Sequence, residues 1–166
     1  MALYLIELTP ATASKDEATA LIETVSNSLS EGAELIETQV SADHKLIFAI
    51  IESENTAFAP ALTAAIGERA SVVGPDEVRL VGAELDDIKK LKKDADYLVE
   101  WDIPAEITME QYLTRKKANA PKYAEVPEVS FLRTYVREDT AKCLCFYDAP
   151  DEDAVLRARK AVSTPI

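Results

Sequence analysis

Six polar residues fall at strand-like spacing and could do chemistry together: Glu7, Glu37, Glu100, Asp102, Arg133 and Tyr135. Alternate side chains of a strand share a face, so Glu37 and Gln39 part from Ile36, Thr38 and Val40. Arg133 and Tyr135 part in the same way from Leu132, Thr134 and Val136. The β-branched sets belong under helices, which leaves the polar sets on the opposite face. Glu7 shares a side with Leu5 and Thr9, and Glu100 and Asp102 share one with Leu98. If these strands turn inward, four carboxylates surround one cavity, with Arg133 as the cationic partner and Tyr135 as a donor. Carboxylates packed together raise one another's pKa, and such a site could hold a cation, pass a proton or bind the polar end of a small molecule. The competing reading is structural, with Arg133 paired to Glu37 or Glu100 and no ligand. Trp101, next to Asp102, either walls the cavity or fills core.

Other chemistry has little to stand on. Cys143 and Cys145 lie two apart in a strand-like run and so point to one face. Their Cα atoms would be roughly 6.5 to 7 Å apart, at the edge of disulfide geometry, so they read as two small reduced core residues. His44 is the only histidine and sits beside Asp43 in an expected turn. One histidine supports neither a His-rich metal site nor a convincing Ser-His-Asp or Cys-His arrangement. The glycines, Gly32, Gly67, Gly74 and Gly82, form no phosphate-binding fingerprint. Neither a cofactor nor a metal ligand is assigned.

The elements that must position these residues come in a repeat. Tyr4-Leu5-Ile6-Glu7 returns as Tyr97-Leu98-Val99-Glu100, and Leu35 to Asp43 lies over Phe131 to Asp139 without a gap. Ser14 to Glu17 and Thr108 to Gln111 both read as capping boxes opening a helix. In the first copy, strands are expected over 2–9, 34–41, 45–52 and 77–82, the last following the turn Gly74-Pro75-Asp76. Helices are expected over 15–30, with Ala18, Leu21, Ile22, Val25 and Leu29 as the apolar stripe, and over 56–69, with Phe58, Leu62 and Ile66. The order βαββαβ gives an antiparallel sheet with both helices on one face. The expected fold class is therefore α+β: tandem ferredoxin-like units forming a pseudo-dimeric barrel or sandwich, sheet against sheet. The expected organisation is unit one over 1–83, a helical connector over 84–94 with Ile88 and Leu91 on one side, and unit two over 95–166. A helix over 151–162 ends the second unit, leaving no residues for its fourth strand. Either the chain is trimmed, or the edge beside 96–101 is covered by another segment or by another subunit, and a homo-oligomer through the incomplete second sheet is one of these outcomes.

Two stretches, Tyr97-Leu98-Val99-Glu100-Trp101-Asp102-Ile103-Pro104 and Leu144 to Val155, resemble the domain-of-unknown-function family 4242, which includes small nickel-binding proteins. The resemblance covers about 95–166, and its most specific piece is the closing Asp148-Ala149-Pro150-Asp151-Glu152-Asp153-Ala154-Val155. The first half resembles a divergent copy. The resemblance implies a ferredoxin-like fold that dimerises through its sheet faces, and no known activity. Nickel-binding members carry a histidine near the end of the first strand and more in the following helix. Glu100-Trp101-Asp102 and Thr108 to Ala118 contain none, so the nickel site is not carried over. Oxygen donors such as Asp102 would favour a hard ion instead.

Composition bounds the function classes. The 166 residues carry 30 Asp and Glu against 18 Lys and Arg, a net charge of -12, with a pI near 4.5. That field repels phosphate backbones and anionic lipid, so neither a nucleic acid nor a membrane is an expected partner. No apolar stretch approaches the roughly 20 residues of a membrane span, and Met1 to Pro10 lacks a cationic start. A cytoplasmic location is the expectation. The leading reading is a protein that binds a small molecule or a cation in a cavity between two ferredoxin-like sheets. The alternatives are a cofactor-independent isomerase or monooxygenase-like enzyme, with Glu7, Glu37 or Glu100 as general base, and an interaction module without a site.

Overall fold

The computed structural model describes residues 1–90 and 95–163. The chain divides into two compact units, Met1–Val78 and Arg79–Ile166.

In the first unit β1 (Ala2–Pro10), α1 (Lys15–Ser28), β2 (Ala33–Val40), β3 (Ile47–Ser53), α2 (Ala59–Ile66) and β4 (Ala70–Val81) follow in order. The strands pair antiparallel in the order β2-β3-β1-β4, which is the ferredoxin-like arrangement. α1 starts where the Ser14 hydroxyl accepts the Glu17 N–H at 3.1 Å, satisfying a donor that a helix start leaves open. Its buried residues Ala18, Leu21 and Val25 pack with Phe58, Leu62 and Ile66 against Tyr4, Ile6 and Leu8 of β1 and Ile47, Ala49 and Ile51 of β3. Helical and strand periodicity thus meet on one sheet face.

β4 corrects the sequence reading. Gly74-Pro75 does not precede the strand but lies inside it, and pairing with β1 begins at Ala70 opposite Pro10. The register shifts between Leu5, opposite Asp76, and Glu7, opposite Val73, so two residues of β4 stand against one of β1. This bulge absorbs the proline, which has no N–H to give the ladder. Gly74 adopts φ +101, and a Cβ there would lie 2.5 Å from the Leu5 carbonyl oxygen.

The second unit contains α3 (Leu85–Lys89), β5 (Tyr97–Asp102), α4 (Met109–Asn119), a 3-10 stretch over Ala120–Glu125, β6 (Ser130–Arg137), β7 (Lys142–Asp148) and α5 (Glu152–Ala161). Here β7 lies between β6 and β5, both antiparallel to it. α4 opens with a complete capping box: Thr108 Oγ1 accepts the Gln111 N–H at 3.2 Å, and Gln111 Oε1 accepts the Thr108 N–H at 2.9 Å. α5 is capped by Asp151, whose Oδ1 accepts the Ala154 N–H at 2.8 Å. In the expected connector, Ile88 of α3 is buried, while Leu91 lies outside the described residues. No strand follows α5 among the described residues. The edge of β5 away from β7, expected to be covered, has no partner strand among them either. No described helix is long and apolar enough to cross a membrane.

Candidate functional site

Alternation along β7 turns Cys143, Cys145 and Tyr147 toward the helices, where they join Val99, Tyr112, Val136, Val155 and Ala158 in one core. The ladder places Trp101 opposite Cys143 and Thr134 opposite Cys145. α4 brings Tyr112 and Lys116, one turn apart, over this face, and the 3-10 stretch adds Tyr123. α5 presents Ala154, Val155, Ala158 and Arg159 as its buried residues.

Together they enclose a cavity of ≈ 60 Å³, against the about 10–15 Å³ that one water needs. Its walls are aromatic: Trp101, Tyr112, Tyr123 and Phe131. Its polar lining is cationic, with Arg115, Lys116 and Arg159, and contains neither Asp nor Glu. Tyr123 stacks on Phe131 with centroids 5.4 Å apart, and the Lys116 ammonium lies 4.5 Å from the Phe131 ring centroid. Lys116 and Arg159, whose guanidinium carbon lies 5.6 Å from the Trp101 ring centroid, are thus held against ring faces, which attract cations.

Arg159 is 2% exposed. Its Nη1 donates to Cys145 Sγ at 3.4 Å and to the Tyr147 hydroxyl at 3.1 Å. The Tyr147 hydroxyl is in turn 2.8 Å from that of Tyr123. Arg159 Nε and Nη2 are buried and have no hydrogen-bond acceptor among the described residues. A buried charged donor left without an acceptor costs about 1–3 kcal/mol or more, so these groups point to a partner that enters the cavity.

The two cysteines are unbridged, with Sγ atoms 3.8 Å apart. The hydrogen bond from Cys143 holds the Cys145 thiol far below its ordinary range; burial opposes this, and Lys116, Arg159 and Thr134 assist. Cys143 is pushed up by that same contact and by burial. Burial raises Tyr112, Tyr123 and Tyr147. Burial also works against the charge on Arg159, but Cys145 and Tyr147 outweigh it and the guanidinium pKa is raised. The two thiols therefore titrate as a pair, and Cys145 is the one whose charged form the neighbouring Arg159 and Lys116 favour.

The six residues singled out from sequence lie elsewhere. In the first unit Glu7 is half-buried on β1, and Glu37, half-buried on β2, accepts from Gln39 Nε2 at 3.2 Å. In the second unit Arg133 and Tyr135 are 3% and 1% exposed. Both meet Phe146, the guanidinium carbon 4.7 Å and the phenol ring 5.6 Å from its centroid. Thr134 donates to Cys145 Sγ at 3.3 Å, so alternation puts Arg133 and Tyr135 on the face away from α4 and α5. These two are buried, whereas Glu100 and Asp102 are exposed, and Glu100 forms an ion pair with Lys142. Trp101, one residue from Asp102, points the opposite way and walls the helix-side cavity. Arg159 was missed although a signal existed: its spacing from Val155, Ala158 and Val162 puts a cation on the buried stripe of α5. His44 sits half-buried in the β2–β3 turn with φ 60.

Residues 97–166 match the family model described as nickel responsive protein SCO4226-like. No curated protein matches the chain. Among solved structures, the crystal structure named "Putative Chlorite dismutase TA0507" is similar with a TM-score of 0.58 at 15% identity, over 99% of this chain and 87% of that one. A likeness at that identity shows the fold alone. The donor set does not fit a nickel ion: no cluster of three or more His, Cys, Asp or Glu exists among the described residues. The two thiols that do come together face Arg159 and Lys116, charges that repel a cation.

Proposed function

We propose that the protein binds a small organic molecule in the cavity beneath α4 and α5 of its second unit. One observation carries this: aromatic walls enclose a buried arginine two of whose nitrogens have no acceptor among the described residues. Ligand sites are mostly apolar with a few fixed polar groups, and this cavity has that composition. The resemblance of 95–166 to domain-of-unknown-function family 4242 is consistent with a binding role and adds no activity. Thermal melting with small ring-bearing acids, amides, alcohols and amines tests it, since a ligand of the folded state raises the midpoint by mass action. A rise is expected with at least one class. It should vanish in Ala120→Phe, a change at an exposed lining position that narrows the mouth. No rise with any class would leave the interaction module as the reading.

A second reading is favoured by the burial of Arg133 and Tyr135 away from the helices. It keeps Arg133 and Tyr135, both in the second unit, as contacts for a small molecule or cation. Arg133→Ala with intact folding and a lost ligand response would support it. Turnover of an enolisable substrate with a pH-dependent rate would instead assign the enzyme. A second copy pairing along β5 is the assembly proposed for that edge, and sedimentation measures it.

A further inference from the structure

Two other arginines of the second unit show how this chain engages a carboxylate. Arg79 donates from Nε and Nη2 to the two oxygens of Glu138 at 3.1 and 3.0 Å. Arg137 donates from the same two nitrogens to Asp139 at 3.1 and 2.6 Å. Nε and Nη2 form one edge of the planar guanidinium, and a carboxylate matches it with two parallel bonds. In Arg159 that edge is the part with no acceptor among the described residues, because Nη1 is already committed to Cys145 and Tyr147. The guanidinium carbon lies 5.6 Å from the Trp101 ring centroid.

Charge selects the same ligand class. Arg115, Lys116 and Arg159 line the cavity with no Asp or Glu among the lining residues, in a chain of net charge -12. Even with Cys145 negative, only one of the three cations would be offset. The aromatic walls suit a flat body. Resting on the pocket proposed above, we infer that its ligand is a small flat monocarboxylate whose two oxygens take the Nε and Nη2 edge of Arg159, with its ring against Trp101.

Trp101 is the only tryptophan, so its fluorescence reports occupancy directly. The experiment titrates the full chain with benzoate, benzamide and benzyl alcohol, which share a ring and differ in the group offered to Arg159. Saturable change with benzoate, about tenfold or more tighter than with either neutral analogue, is the expected result. Arg159→Lys keeps the charge and loses the paired edge, and should bring benzoate to within a few-fold of benzamide. If all three bind alike, the cavity stands as a ligand site and the carboxylate assignment falls. If none changes Trp101 fluorescence or the melting midpoint, both fall. Should Arg159→Lys not fold, the comparison of the three compounds on the unsubstituted chain decides alone.

Discussion

Cys145 accepts contacts from Thr134, Arg159 and Cys143, which is why its thiol is held well below the ordinary range. A depressed pKa means that the stabilisation exists above the unfolded thiol value of about 8.5 and is lost as pH falls through the folded value. The stability difference between the native chain and Cys145→Ala should therefore narrow as pH is lowered from that range, in melts run across pH. An unchanged difference would mean that the folded protein holds a neutral thiol. Above about pH 10 the stability of both chains should instead fall, because Tyr112 and Tyr147, present in each, have raised values. A raised group is stabilising below its unfolded pKa and loses that contribution as pH climbs through the folded one. At this scale the sequence was only half legible. Alternation separates Arg133 and Tyr135 from Thr134 and puts Cys143 and Cys145 on one face, because strand period is local. What it could not supply was the cation that α5 lowers onto Cys145, since that meeting depends on packing between residues 14 positions apart.

Elements were easier to read than their interruptions. The stripes Ala18-Leu21-Val25 and Phe58-Leu62-Ile66 and both helix starts follow from spacing and caps, which need no tertiary information. β4 shows the limit: Gly74-Pro75 has the local chemistry of a turn, yet pairing with β1 on both sides carries the strand through as a bulge. Gly74 is the residue that permits this, by its positive φ and by the close Leu5 carbonyl. Gly74→Ala should cost about 1–3 kcal/mol, measured by denaturant melting, whereas Gly32→Ala, with open space at its Cβ, should cost less. Equal costs would show that backbone strain alone, common to both, sets the penalty. At the other end of the fold, β5 pairs with β7 along one edge. Its amides should exchange with solvent faster than those of β7, which is paired on both sides.

At the scale of the whole molecule the net charge of -12 and the three cavity cations oppose each other over different distances. An anionic ligand approaching from solution meets the summed field first, and that field is repulsive. Only within the cavity do Arg159, Lys116 and Arg115 prevail. Salt separates the two effects, because the Debye length shrinks from about 30 Å at 0.01 M to about 10 Å at 0.1 M. Long-range repulsion is screened across that interval, while a paired contact on a buried guanidinium is screened much less. The association rate of benzoate, followed by stopped-flow Trp101 fluorescence, should therefore rise with added salt and its dissociation rate should change little. A binder that draws anions to an exposed basic patch behaves oppositely, with association slowing as salt is added. A fall in the association rate would place the anion on such a surface patch and not on Arg159.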